Sequence, residues 1–368
     1  MFTNDLTNLL KIDFPIIQAP MAGGISTSKL VATASKNGAL GMIAAGYMSP
    51  IQLREQIREV KQLTTHNFGV NLFVPNKFEI SENGIEMANS LLKRYREELN
   101  IQGEKIKLPN MKSSIHSYKE QIKVVIEEKI PICSFTFGVP TADEMGKFKE
   151  HNIITIGTAT TVEEAVSIEE LGMDVVVIQG SEAGGHRGNF ISSHEEGLIG
   201  LMSLIPQVSD HVSIPIIAAG GIMDGRGLTA ALCLGAKAVQ MGTAFLTCKE
   251  SGAHPLHKEA VMYSKYGDTT LTRAFSGKWA RGIKNKFTME MEEHVDTVPI
   301  FPIQNTLTQS IRKASANQNN KEYMSLWSGQ SATLARIETV EQLVIRVMDE
   351  ARKVSRGDDP PTNVFSKF

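Results

Sequence analysis

Val175-Val176-Val177-Ile178-Gln179 runs directly into Gly180-Ser181-Glu182-Ala183-Gly184-Gly185-His186-Arg187-Gly188, and the junction between these two stretches decides the fold. Four β-branched residues in succession read as a short strand buried on both faces, the kind that parallel sheets use. Four glycines then surround a carboxylate, an imidazole and a guanidinium. Polar residues just past the carboxyl end of a parallel strand are where α/β architectures carry their chemistry.

Working outward, similar apolar runs lie at residues 16–19, 40–45, 68–73, 130–135, 153–156, 214–218 and 238–241, which with 175–179 makes eight. Helical patterns separate them. Residues 28–37 read as a helix that Gly38 can end in the left-handed conformation. The next helix has an explicit start, with Ser49 as cap, Pro50 at the first position and Gln52 placed for a capping box. Eight strand-then-helix units without hairpin turn signals predict a parallel (β/α)8 TIM barrel, not an open sheet. The spacing breaks once, at about residues 75–114, where a polar stretch including Leu91-Leu92-Lys93-Arg94-Tyr95 predicts an inserted helical segment after the third strand. After residue 241 the pattern stops, and helices are expected at 303–316, 322–334 and 340–354. The chain therefore divides into a barrel over 1–248 and a helical region over 249–368, expected to pack over the barrel mouth. Asp358-Asp359-Pro360-Pro361 reads as a loose terminus.

Composition narrows the function classes. With 368 residues, 42% of them hydrophobic, the chain can bury a large core. Its 38 basic and 40 acidic residues nearly cancel, so no overall field would recruit nucleic acid or a membrane surface. Cys133, Cys233 and Cys248 are far apart and form no C-x-x-C pair, which argues against a disulfide framework and a thiolate zinc site and fits a reducing cytoplasm. Neither a signal-like start nor an apolar run of roughly 20 residues is present. The expectation is a soluble cytoplasmic protein, monomer or homodimer, working on a small molecule.

Two further glycine-rich loops follow the seventh and eighth runs: Ala219-Gly220-Gly221-Ile222-Met223-Asp224-Gly225-Arg226-Gly227, and Gln240-Met241-Gly242-Thr243. Barrels often hold a phosphate between these two loops, because glycine lets backbone N–H groups come close to an anion and a helix start adds a favourable dipole. Any tight βα turn also favours glycine, yet both loops together favour a phosphorylated ligand. Neither a dinucleotide fingerprint nor a Walker loop is present. Asn71 and Gln179 end strands, where a side-chain amide suits a heterocycle edge with alternating donors and acceptors, an ordinary loop amide being the alternative. His186 lies past a strand end among glycines that could not bury it, which favours a functional imidazole over a structural one. Glu182 reads as an orienter of the loop or a partner for Arg187, and Lys278 and Arg281 as cations that could approach an anionic ligand. His254 and His257 lack a third ligand pattern, so surface or capping roles are expected and no metal site.

Four segments together resemble the class I nitronate monooxygenase family, formerly called 2-nitropropane dioxygenases: Gln18-Ala19-Pro20-Met21-Ala22-Gly23-Gly24, Gly180 to Gly188, Ala219 to Gly227, and Gln240 to Thr243. Ala280-Arg281-Gly282-Ile283-Lys284-Asn285 and Leu326-Trp327-Ser328-Gly329-Gln330 extend the resemblance into the tail. It implies an FMN cofactor contacted by Ala19, Pro20 and Met21, with Asn71 and Gln179 near the isoalloxazine edge. Gly184, Gly220, Gly221, Gln240, Met241, Gly242 and Thr243 would complete the pocket. It also implies oxidation of alkyl nitronates or propionate 3-nitronate, with O2, to carbonyl compounds and nitrite or nitrate, a detoxifying reaction in which the flavin carries the electron transfer. His186 matches the family's active-site histidine, either as a base for a neutral nitroalkane or as a cation holding the nitronate. Some members carry a second histidine where this chain has Thr136, which cannot change charge near neutral pH. Three rivals share parts of the pattern. An FMN-dependent NAD(P)H reductase, of the enoyl-acyl-carrier-protein or quinone type, shares the Glu-Ala-Gly-Gly-His core; Arg187 and the Asp224 to Gly227 loop favour the monooxygenase. An IMP-dehydrogenase-like barrel would need a cysteine that the loop at 180–188 lacks. A non-catalytic flavin- or phosphate-binding protein is the third.

Overall fold

The computed structural model describes residues 2–79, 81–103 and 106–358. Strands β1 (Ile16–Gln18), β2 (Gly41–Ala44), β3 (Phe68–Phe73), β4 (Ile132–Thr136), β5 (Ile154–Ala159) and β6 (Val175–Gln179) follow one another, and after the two-residue β7 (Gly185–His186) come β8 (Ile216–Ala219) and β9 (Ala238–Met241). All except β7 form one parallel sheet in the order β1-β9-β8-β6-β5-β4-β3-β2. A parallel bridge between Ile17 and Leu40 joins its two edges, with Gln18 N donating to Leu40 O and Leu40 N to Ile16 O, both at 2.9 Å. The eight strands therefore close as the predicted barrel. Near-continuous burial along the β-branched strands reflects contact with helices outside and side-chain layers inside.

Inside, Ile17, Met42, Ile132, Ile156, Val177 and Ile217 form one cluster with Leu6 and Leu10. Leu6 and Leu10 come from a short helix, Asp5–Leu10, started by an Asn4 capping box. Its two leucines are fully buried with the barrel residues. The sequence reading contained no such helix.

The outer shell contains Ser28–Lys36, Pro50–Leu63, Met111–Glu127, Ala142–Glu150, Val162–Glu170, Leu201–Ser209 and Gly225–Cys233. Its eighth helix comes from far along the chain: Val340–Ser355 packs against Gly225–Cys233 and Ser28–Lys36, the slot beside β9 and β1. Val340, Leu343, Val344, Val347, Met348 and Ala351 supply the buried stripe at helical spacing. This helix thus lies on the flank of the barrel and not at its mouth.

Residues 249–339 are an excursion between the eighth strand and its helix. Within it β10 (Thr269–Thr272) and β11 (Ala280–Ile283) pair antiparallel, and β11 also pairs with β7, setting Ala280 opposite His186 and Arg281 opposite Gly185. The inserted stretch after β3 supplies helix Glu82–Glu98, whose Ala88, Leu92 and Tyr95 share a second core with Phe275, Phe287, Ile303, Leu307 and Ile311 of the excursion. Met111–Glu127, which begins inside the stretch assigned to the insertion, is the regular shell helix of the third unit. Two helical expectations change. Residues 303–316 form two helices, Ile303–Leu307 and Gln309–Asn317. Residues 322–334 are not a helix: short turns at Lys321–Tyr323 and Ala332–Leu334 flank an extended segment in which Trp327 bridges to Gly282. Main-chain pairing with β11 outweighs the segment's helix-like apolar spacing. Of the expected loose terminus at 358–361, only Asp358 falls within the described residues.

Candidate active site

The carboxyl ends of the barrel strands open into a cavity lined by Ala19, Pro20, Met21, Asn71, Gln179, Gly184, His186, Gly220, Gly221, Gln240, Gly242 and Thr243. The structure brings together these twelve of the thirteen residues singled out from the sequence. The exception is Met241, whose side chain is 1% exposed in the core while its carbonyl accepts Ala19 N at 3.0 Å. Other walls, which the sequence reading did not assign, come from Phe73, Ser134, Thr136, Phe137, Trp327, Gly329 and Ser331. The last three belong to the segment misread as helix; Leu326 to Gln330 looked significant in the sequence, but nothing there placed it on a wall.

How the loop after β6 is held explains its composition. Arg187 is 1% exposed and makes no ion pair with Glu182, contrary to one of the expected roles. Its Nη2 donates to Gln179 O (3.0 Å) and Gly197 O (2.7 Å), and Nη1 to Gly180 O (2.5 Å). A guanidinium presents its donors as a rigid fork, and here the fork ties three carbonyls of one loop. Burial lowers its pKa to about 10, which leaves it charged at neutral pH. Glu182 instead accepts Leu201 N at 2.9 Å, serving a helix whose own cap residue, Gly200, has no side chain to offer. Gln179 uses both ends of its amide on the loop, donating to His186 O (2.9 Å) and accepting Gly188 N (2.8 Å). Gly184 permits close approach: a Cβ there would lie 2.5 Å from Gly329 N. Glu164, fully buried, accepts Phe190 N, Ile191 N and Ser192 N through one oxygen and the Thr160 N–H and hydroxyl through the other. The loop is therefore fixed at several points.

His186 is positioned through Nε2, 2.8 Å from Ser276 Oγ. Ser276 has one hydroxyl proton and donates it to Lys278 O at 3.0 Å, so the hydrogen-bond network assigns the His186 proton to Nε2. Its Nδ1 has no hydrogen-bond partner among the described residues. Phe137, Phe301 and Trp327 surround the imidazole at centroid distances of 5.8, 6.2 and 5.4 Å. Burial holds its pKa down at about 3, with Lys278 and Arg312 lowering it further. At neutral pH this is an uncharged base with one free lone pair.

The anion end is equally specific. Helix Thr243–Leu246 starts at Gly242, which provides no side-chain cap, so its leading N–H groups remain available beside Gly220 and Gly221. By contrast, the helix after β8 is already capped: Asp224 accepts Arg226 N and Gly227 N and pairs with the Arg226 guanidinium. The Asp224 and Arg226 side chains thus serve their own helix, and with Arg187 they lose their value in separating monooxygenase from reductase. Within β3, Asn71 Nδ2 donates to Ser134 Oγ (2.9 Å) and Thr136 Oγ1 (3.0 Å), leaving Oδ1 without a partner among the described residues. Thr136 therefore orients the Asn71 amide. Arg281 is spent on Ser181 O and Thr269 Oγ1. Lys278 Nζ lies 5.0 Å over the Phe137 ring. His254 caps its helix as expected, whereas His257 is buried, with Nε2 2.9 Å from Trp327 O. Among the described residues, no helix is long and apolar enough to cross a membrane.

A (β/α)8 barrel whose strand-end cavity is lined by a half-buried, neutral histidine and by the uncapped helix start at Gly242 defines a small-molecule enzyme of the barrel class. The chain belongs to the nitronate monooxygenase family, whose model, described as Nitronate monooxygenase, matches residues 3–350, and it is accordingly a flavin-dependent oxidoreductase that oxidises nitronates. It is 49% identical over 353 residues to a probable nitronate monooxygenase of Staphylococcus haemolyticus, covering 95% of this chain and 98% of that one. Among solved structures, the nitroalkane oxidase from Streptomyces ansochromogenes is similar with a TM-score of 0.88 and 36% identity, over 96% of this chain and 99% of the other. FabK from Thermotoga maritima is similar with a TM-score of 0.76 and 31% identity, over 97% and 98% of the two chains.

Proposed function

We propose that the protein is an FMN-dependent nitronate monooxygenase that converts alkyl nitronates or propionate 3-nitronate, with O2, to carbonyl compounds and nitrite or nitrate, a detoxifying activity. The observation that carries this reading is the half-buried His186, neutral and with Nδ1 unpaired among the described residues, on the wall of the same cavity as the uncapped helix start at Gly242. Gly220, Gly221, Gly242 and Thr243 would hold the FMN phosphate through main-chain N–H groups. Ala19, Pro20 and Met21 would lie along the ring system, with Asn71 Oδ1 and the Gln240 amide available to its polar edge. Gln179, its amide consumed, fixes the loop rather than the ring. FMN when bound supplies the electron transfer that the side chains cannot.

The chain's own residues handle the proton and the charge. Given a neutral nitroalkane, His186 Nδ1 takes the α-proton, producing the anionic nitronate beside an imidazolium. The Ser276 to Lys278 carbonyl relay keeps Nε2 protonated, so the lone pair stays on the reacting side. Phe137, Phe301 and Trp327 pack around the imidazole and hold its plane. Given a preformed nitronate, no proton needs removal, and the Lys278 ammonium near the ring favours the anion electrostatically.

The likeness to FabK favours a second reading, an FMN-dependent NAD(P)H reductase on the same barrel. Anaerobic mixing of the yellow protein with propionate 3-nitronate, and separately with NADH, distinguishes the two. The proposal expects a change in the flavin spectrum with the nitronate and none with NADH; rapid bleaching by NADH alone would overturn it. His186→Asn is expected to retain flavin and to lose turnover of neutral nitroethane by roughly 10²- to 10⁴-fold, and unchanged kinetics would remove His186 from the mechanism.

A further inference from the structure

Four rings run along the cavity wall in mutual contact. Tyr47 lies against Phe73 with centroids 5.6 Å apart, Phe73 against Phe137 at 4.6 Å, and Phe137 against His186 at 5.8 Å. All four line the cavity. Tyr47 is 43% exposed, Phe73 half-buried and Phe137 1% exposed, so the row leads from solvent down to the imidazole. Two backbone features fix it. Gly46 leaves room for the Phe73 ring, since a Cβ there would collide with three of its carbons. Phe137 holds its φ at 73°, a left-handed value that a bulky residue adopts only at a cost and that tends to persist where the placement of the side chain is used.

Among the described residues, the cavity lining includes no Asp, Glu, Lys or Arg. Lys278 Nζ, 5.0 Å over the Phe137 ring and donating to Asn189 O at 3.2 Å, is not part of that lining. A second charge on the substrate would therefore be desolvated beside this wall without a partner, whereas an apolar group would meet the faces and edges of rings. Resting on the nitronate reading above, we propose that the wall beds the substrate's carbon chain and that Phe73 makes the enzyme select nitronates carrying an apolar group of ring size over short or carboxylated ones. The nitronate carbon lies at His186, and the group it carries extends along Phe137 and Phe73 toward Tyr47.

The test compares the flavin-loaded enzyme and its Phe73→Ala and Phe73→Leu variants on phenylmethyl nitronate, ethyl nitronate and propionate 3-nitronate. Calorimetric binding of phenylacetate and succinate, inert mimics carrying a ring or a second carboxylate, supplies a readout free of turnover. The native enzyme should show its highest kcat/KM on phenylmethyl nitronate and bind phenylacetate at least about tenfold more tightly than succinate. Phe73→Ala should lower the ratio of kcat/KM for phenylmethyl over ethyl nitronate roughly 10- to 100-fold, mostly through KM, and weaken phenylacetate by a similar factor. Phe73→Leu, which keeps a branched apolar side chain, should lose less of both, and it gives the answer should Phe73→Ala not fold. A native preference for propionate 3-nitronate, or equal losses on the ring-bearing and ethyl substrates, would overturn the proposal. If the native enzyme turns over no nitronate yet binds phenylacetate through Phe73, the activity reading falls and the apolar bed stands; if it oxidises all three alike, the activity reading stands and the selectivity falls.

Discussion

Replacing Gly184 by alanine tests how the cavity is closed. An added Cβ would meet Gly329 N and the Ser328 carbonyl carbon at 2.5 Å and Ser328 Cα at 2.9 Å, all main-chain atoms. Restoring an ordinary contact of 3.4 Å to Gly329 N means moving the 328–331 segment outward by about 0.9 Å, the difference between 3.4 and 2.5. That shift stretches two hydrogen bonds, Gly329 N to Thr243 Oγ1 at 3.0 Å and Gln330 N to Glu182 O at 2.9 Å, to roughly 3.8–3.9 Å, beyond bonding distance. Two lost bonds at about 0.5–1.5 kcal/mol each, with about 1–3 kcal/mol of overpacking, give roughly 2–6 kcal/mol. At about 2.1 cal/mol/K per residue, the unfolding entropy of 368 residues converts this to a fall in Tm of roughly 3–8 °C. Calorimetry of the flavin-loaded protein would read the change, and the flavin should also be retained less well on gel filtration, since Gly329 and Ser331 line the cavity. The adjacent Gly185→Ala is the control. Its φ of 75° carries a left-handed cost of about 1–2 kcal/mol, but nothing lies within 4 Å of the added methyl, so the segment should not move. Equal flavin retention in the two variants would refute the collision argument.

Two other outcomes follow from the buried groups. His186 and His257 are held neutral, at pKa about 3 and about 4, chiefly by desolvation. Between those values and the unfolded value of about 6.5 the unfolded chain binds more protons, so stability should fall as pH drops from about 6.5 toward 4. His257→Gln should flatten the slope of Tm against pH in that window; an unaltered slope would contradict the assignment. Arg187→Lys supplies one ammonium in place of a fork and strands at least one of the three loop carbonyls, costing roughly 1–3 kcal/mol. Amide exchange across residues 180–199 should accelerate, and unaltered protection would show that the cage is dispensable.

Much of the barrel was legible because each strand is a short β-branched run and several helix starts carry their own signal, as Ser49, Pro50 and Gln52 do in forming the capping box observed. The strand-end position of Gln179 followed from the same periodicity, whereas Asn71, expected to end its strand, lies inside β3, which continues to Phe73. What stayed hidden depends on partners remote in sequence. Nothing local marks Gly185–His186 as a strand, since its pairing lies at Ala280 and Arg281. Residues 322–334 carry apolar spacing suited to a helix, but Gly329 is tethered to Thr243 and Trp327 to Gly282, so the chain stays extended. Arg187 read as a charge in search of a carboxylate because a cage of carbonyls has no sequence signature. Val340–Ser355 was recognised as a helix, whereas its place beside β9 and β1 is a property of the closed barrel.

The late return of the chain to the barrel has a consequence for synthesis. A nascent polypeptide that has emerged as far as Thr243 already possesses all eight barrel strands, yet it lacks Trp327, Gly329 and Ser331 from the cavity wall and the shell helix Val340–Ser355 that seals the flank between the last unit and the first. Neither the seam nor the cavity can be completed until residues 327–355 have left the ribosome, so the eight strands must wait, with an open flank, for a stretch of chain made long after the last of them.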